Sequence, residues 1–116
     1  MQVVIRSDNV RLPRAHALGL ADRIRGAFAR LAHRIERIVV RVAAASRPGP
    51  AARECTVEIH LPNGEVAVVT ERQRRLGALL RRATERACKA AAAVIARHRE
   101  DRPAQRLVLP GRGGQP

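Results

Sequence analysis

Aromatic side chains are all but missing: the chain has one phenylalanine, Phe28, and no tyrosine or tryptophan. A surface that stacks successive bases of a single strand on aromatic rings therefore has nothing to be built from. Nucleic-acid contact, if any, must be mostly phosphate contact, with guanidinium planes occasionally packing on bases. Lysine is nearly absent too, with a single Lys89 beside 22 arginines. A GC-rich genome produces that preference for arginine, but it leaves the shortage of acids unexplained. There are 10 carboxylates against 23 lysines and arginines, a formal charge of +13. Such an excess attracts polyanions, nucleic acid first and an anionic membrane surface second.

Cysteine is scarce. Cys55 and Cys88 are far apart and in no ligand-like spacing, so buried, reduced thiols are expected instead of a disulfide. No apolar run approaches the roughly 20 residues that span a bilayer, and residues 1–6 lack the apolar core of a signal peptide. A cytosolic location is expected. The four histidines, His16, His33, His60 and His98, are scattered, and no pair has metal-ligand spacing with a carboxylate or thiol. Residues 111–114, Gly-Arg-Gly-Gly, follow no strand and open no helix, so they are not a phosphate loop. No catalytic residue, metal site or cofactor is expected.

What the chain does have is basic, amphipathic helix pattern. Over residues 72–99 a period of 3.6 places Leu76, Leu79, Leu80, Ala83, Ala87, Ala90, Val94 and Ile95 on one side. Arg75, Arg82, Arg86 and Lys89 run along the border of that side. The stretch has nine basic residues and one acid, Glu85, which is not the composition of a salt-bridged solvated face. Residues 14–35 repeat the arrangement. Leu20, Ile24, Ala27, Phe28, Leu31 and Ile35 share one face, and His16, Arg23, Arg30, Arg34 and Arg37 form a stripe beside it. Gly26 weakens that helix by about 1 kcal/mol relative to alanine.

Four stretches read as strands. Residues 2–7 are a short β-branched run. In residues 36–45, Ile38, Val40 and Val42 alternate with Val39 and Arg41. Residues 54–61 alternate strictly, Cys55, Val57, Ile59 and Leu61 one way and Glu54, Thr56, Glu58 and His60 the other, as in a half-wet antiparallel pair. Pro62-Asn63-Gly64 supplies a hairpin turn, Asn-Gly being able to take positive φ angles. Residues 65–71 return as the fourth strand with Val66, Val68 and Val69. Residues 46–50, Ser-Arg-Pro-Gly-Pro, are a turn-rich loop.

The expected fold is α+β, in the order β-α-β-β-β-α. A right-handed crossover makes strands one and two parallel, hairpins add the others, and both helices cover one face of a four-stranded mixed sheet. Residues 1–100 form one domain. Asp101-Arg102-Pro103 is expected to stop the last helix, leaving residues 101–116 as a basic, flexible tail in which only 106–109 could dock, as an added strand or through a partner.

The order of elements, the segment Gly19-Leu20-Ala21-Asp22-Arg23-Ile24 and the hairpin His60-Leu61-Pro62-Asn63-Gly64-Glu65-Val66 resemble a known family over residues 1–99. It is that of the ribosome hibernation promoting factors, also called ribosome-associated inhibitor A or sigma 54 modulation proteins. The stretch from Arg74 to Leu79 departs from it, carrying neither the acid nor the aromatic with which that family opens its last helix. The long members' C-terminal dimerisation domain is not among these residues, so a short form or a divergent paralogue is expected. The resemblance implies a bacterial protein, monomeric off the ribosome, that binds the small ribosomal subunit in the channel of messenger and transfer RNA. There it would block translation during stress or stationary phase. Its rRNA contacts would be Arg23, Arg30 and Arg34 from the first helix, and Arg75, Arg82, Arg86 and Lys89 from the second. Two other classes fit the residues: a general double-stranded RNA or DNA binder, and an interaction module whose 107–109 segment adds to a sheet edge. Equal affinity for naked duplex marks the first; dimers lost on removing the tail mark the second.

Overall fold

The structure, a computed structural model, describes residues 1–44 and 53–108, the last ten of these by their backbone. Its elements are β1 (Gln2–Asp8), α1 (Arg14–Ala27), β2 (Arg37–Ala44), β3 (Arg53–His60), β4 (Val66–Gln73) and α2 (Leu76–Val108), with a 3-10 turn at Ala32–Arg34. The sheet order is β1-β2-β3-β4. β1 and β2 are parallel, with Val3 opposite Ile38 and Ile5 opposite Val40. β2–β3 and β3–β4 are antiparallel. The α+β fold is the one expected.

Period-two alternation decides which side chains meet the helices. Register aligns Val40 with Val57 and Val57 with Val69, so one apolar row crosses three strands. Ile38, Val42, Cys55 and Ile59 extend it, all fully buried. α2 packs on β3 and β4, and α1 on β1 and α2. Leu79, Ala83, Ala87, Ala91 and Val94 form the buried stripe of α2. Its alanines bring the helix backbone close to the sheet. Thr84, buried beside them, donates its hydroxyl to the Leu80 carbonyl at 2.8 Å, so no polar group is orphaned there. The opposite face of the sheet carries Val39, Glu58, Val66 and Val68, the last two exposed.

Four local expectations change. The first helix stops at Ala27, not near residue 35. From Gly26 onward the bonds shorten to three residues: Ala29 to Gly26, Leu31 to Phe28, Arg34 to Leu31, Ile35 to Ala32. Three residues per turn aligns Phe28 with Leu31 and Arg34, whereas 3.6 would align Arg30 with Arg34. The fourth strand runs on to Gln73, because Arg72 stands opposite Glu54 and pairs with it at 3.4 Å. Arg72 is thus a strand residue, and the Arg75 carbonyl accepts the Leu79 N–H at the helix start.

The last helix continues through Pro103 to Val108. Proline there removes one N–H, but the turns before it are already formed, so propagation needs no new nucleus. Ala104, Gln105, Arg106 and Leu107 are good helix formers. Leu107 and Val108 are therefore helical, not an added strand. In the hairpin only Gly64 takes positive φ, at 91°. The loop closes by Leu61 N–H to the Glu65 carbonyl at 2.9 Å and Gly64 N–H to the Leu61 carbonyl at 3.0 Å. This is a three-residue loop whose last member must be left-handed, so Asn63 is spared. The loop at 46–50 and residues 109–116 lie outside the described residues.

Candidate nucleic-acid interface

Charge is sorted by face. On the uncovered face of the sheet each acid has a basic partner: Asp8 with Arg41 at 3.5 Å, Glu54 with Arg72 at 3.4 Å, Glu58 with His60 at 3.0 Å. On the helical side Arg23, Arg30, Arg34, Arg75, Arg82 and Lys89 have no carboxylate partner among the described residues. Arg6 and Arg37, exposed on the sheet face, lack one as well, so the unpaired positive charge is concentrated on the helices and the segment after α1 without being confined to them.

The seven basic residues singled out in the sequence do not form one continuous stripe. Arg82, Arg86 and Lys89 line the flank of α2 next to β4, in an open groove of about 470 Å³ shared with Arg81, Glu85 and Glu71. Arg75 sits at the foot of that flank, just before α2. Arg23 lies across α2, in a smaller cleft of about 180 Å³ between the first turns of α1 and α2, with His16 and Leu80. Arg34, half-buried, belongs to a third cleft at the hairpin end, and Arg30 is exposed on the turn between. The early end of α1 breaks the stripe, because Arg30 and Arg34 leave the helical lattice that carries Arg23.

Two features of the groove escape periodicity. Arg81 points away from the apolar border, yet it reaches the groove from the outer side of α2; its adjacency to Arg82 is the one signal in the chain. Glu71 belongs to β4 and holds Arg86: one guanidinium nitrogen donates to Glu71 Oε2 at 2.9 Å and to the Thr70 carbonyl at 2.6 Å. Arg86 therefore ties α2 to the edge strand, leaving Arg81, Arg82 and Lys89 in the groove without a carboxylate partner among the described residues. Phosphate oxygens suit such a set, since guanidinium and ammonium groups make charge-assisted bonds without a buried counter-charge.

Among the described residues no group of three histidines, cysteines or carboxylates converges as metal ligands would. No helix there is long and apolar enough to cross a membrane. Both cysteines are free, Cys55 buried and Cys88 half-exposed. Burial, and secondarily the charge of Glu71, pushes the Cys55 thiol up from 9.0 to about 12. Cys55 is expected to resist maleimide at pH 8 in the folded protein and to react after denaturation, read by mass spectrometry of its peptide. The unfolded thiol ionises first, so its contribution to stability is complete below pH 9.0 and is lost as pH rises toward about 12.

No protein-family model matches the chain, and no curated protein matches it in sequence. Solved structures do match in shape. A ribosomal subunit interface protein from Coxiella burnetii superposes with a TM-score of 0.68 at 10% identity, over 83% of this chain and 99% of that one. The Thermus thermophilus Protein Y N-terminal domain superposes with a TM-score of 0.55 at 20% identity, over 78% of this chain and 96% of that one. At such identities the likeness is one of architecture, and the chain shares the α+β fold of these two proteins, the fold expected from its strand and helix pattern.

Proposed function

We propose that this chain is a cytoplasmic ribosome-binding factor that inhibits translation by occupying the decoding channel of the small subunit. The observation that carries the proposal is the sorting of charge. Every acid on the uncovered sheet face has a basic partner, with Arg6 and Arg37 left over there, while a larger set of arginines and Lys89, without a carboxylate partner among the described residues, stands on the helical side of a fold shared with a ribosomal subunit interface protein.

The helical side is the rRNA-facing side. Arg82 and Lys89, with Arg75 and Arg81, take phosphates along one flank of α2; Arg23, Arg30 and Arg34 take them along the other. Each neutralised phosphate releases condensed counterions, so affinity falls steeply with salt. With Phe28 buried and no other aromatic, recognition follows the shape and phosphate pattern of folded RNA instead of base sequence. Inhibition needs no chemistry: a rigid domain lodged where messenger and transfer RNA pass excludes both by volume.

A sucrose gradient of ribosomes with added protein tests this. The protein is expected with the small subunit at low salt and to be released as salt is raised, with in vitro translation inhibited over the same range. Equal affinity for naked RNA duplex in the same buffer would replace this reading with general duplex binding.

A further inference from the structure

A cleft at the hairpin end of the molecule is unlike the basic groove on α2. Its volume is about 330 Å³, the lower end of the range of roughly 300–1,000 Å³ typical of small-ligand sites. Three separate elements build it: the 3-10 turn gives His33 and Arg34, the hairpin gives Leu61 and Asn63, and α2 gives Ile95 and His98. Leu61 and Ile95, both buried, make an apolar floor.

Two of the polar groups around that floor are oriented by internal bonds. The Asn63 side-chain oxygen accepts the Glu65 N–H at 2.9 Å, which fixes the amide orientation and leaves its NH₂ group as the free end. His98 Nε2 donates to Glu65 Oε1 at 2.7 Å, which fixes the ring and leaves Nδ1 as an acceptor. That bond also engages one oxygen of the Glu65 carboxylate. Arg34 is half-buried and has no carboxylate partner among the described residues.

An apolar floor ringed by a guanidinium, an amide NH₂ and two imidazoles matches a ligand with a flat apolar body and an anionic end. We propose that this cleft binds a nucleoside monophosphate unit. Arg34 and His33 hold the phosphate, the base lies over Leu61 and Ile95, the Asn63 amide bonds an acceptor on the base edge, and His98 Nδ1 accepts from a ribose hydroxyl or an exocyclic amine. Arginine and histidine planes can face a base where aromatic rings are missing. The inference does not rest on ribosome binding, since the unit could be a free nucleotide or one nucleotide splayed from an RNA strand.

Titration of the full ¹⁵N-labelled chain with AMP, GMP, CMP and UMP, followed by NMR at fixed ionic strength, tests it. Inorganic phosphate and a single-stranded tetranucleotide are run in parallel. At least one monophosphate or the tetranucleotide is expected to shift the Asn63 side-chain amide and the Leu61 and His98 backbone signals saturably, at concentrations where inorganic phosphate does not. Asn63→Ala and His98→Gln are each expected to weaken this at least tenfold while the rest of the spectrum stays folded. Response to the mononucleotide alone marks a free ligand; response to the tetranucleotide as well marks a strand. Absence of saturable shifts, equal shifts with inorganic phosphate, or binding unchanged in both variants would overturn the proposal.

Discussion

Reversing charge at Arg82 and Lys89 together is expected to weaken binding to small ribosomal subunits by about 100-fold or more, with little change in stability. Both side chains are exposed and neither has a carboxylate partner among the described residues, so nothing internal is broken when they change. Each is placed to make a charge-assisted bond to phosphate, and each such bond contributes about 1.5–3 kcal/mol. Glutamate is also a good helix former, which protects α2. Co-sedimentation over a salt series reads the effect, and the slope of log affinity against log salt should flatten by about one per lost phosphate contact. Undiminished pelleting of R82E/K89E would move the interface across α2, to Arg23 and Arg34. Arg86 is the wrong residue to reverse. Its replacement by glutamate would strip the Thr70 carbonyl of its donor and set a second carboxylate beside Glu71, confusing a lost contact with a loosened sheet edge.

Phe28→Ala is expected to cost about 3–5 kcal/mol, a large share of the roughly 5–15 kcal/mol that holds a domain folded. The ring has no exposed surface and is the largest fully buried side chain among the described residues. It sits at the C-cap of α1, where its N–H still bonds the Ile24 carbonyl and its own carbonyl accepts from Leu31. Removing it opens a cavity beneath α1 and unpins the tightened turns that carry Arg30 and Arg34. Urea denaturation followed by circular dichroism checks this: the midpoint should fall with the slope unchanged. A loss below 1 kcal/mol would mean that the segment after α1 is held by something other than this ring.

Strand alternation was legible because it is a short-range property. Cys55, Val57, Ile59 and Leu61 point to the core as their spacing requires, and Ile38, Val40 and Val42 do the same. The apolar side of α2 was legible for a similar reason: Leu79, Leu80, Ala83, Ala87, Val94 and Ile95 are all buried. Element ends were less so. The alternating pattern of β4 runs into the helical pattern of α2 around Arg72, and cross-strand pairing with Glu54 assigns that residue to the strand. Pro103 looked like a stop because a local rule cannot count the helix already built before it.

The basic face shows the same division. Composition and periodicity were sufficient for an excess of positive charge on two amphipathic helices, since charge and spacing are properties of the chain whatever its packing. Which cations stay available depended on neighbours distant in sequence. Glu71, 15 residues before Arg86, claims that guanidinium. The shortened turns after Gly26 carry Arg30 and Arg34 off the helical lattice and bring Arg34 to the hairpin and His98. The uncovered sheet face neutralises its own acids through pairs such as Glu54 with Arg72, joined by strand register. Local pattern places a residue on an element to within a turn. Distance between charges on different elements is set by packing, and electrostatic energy depends on that distance.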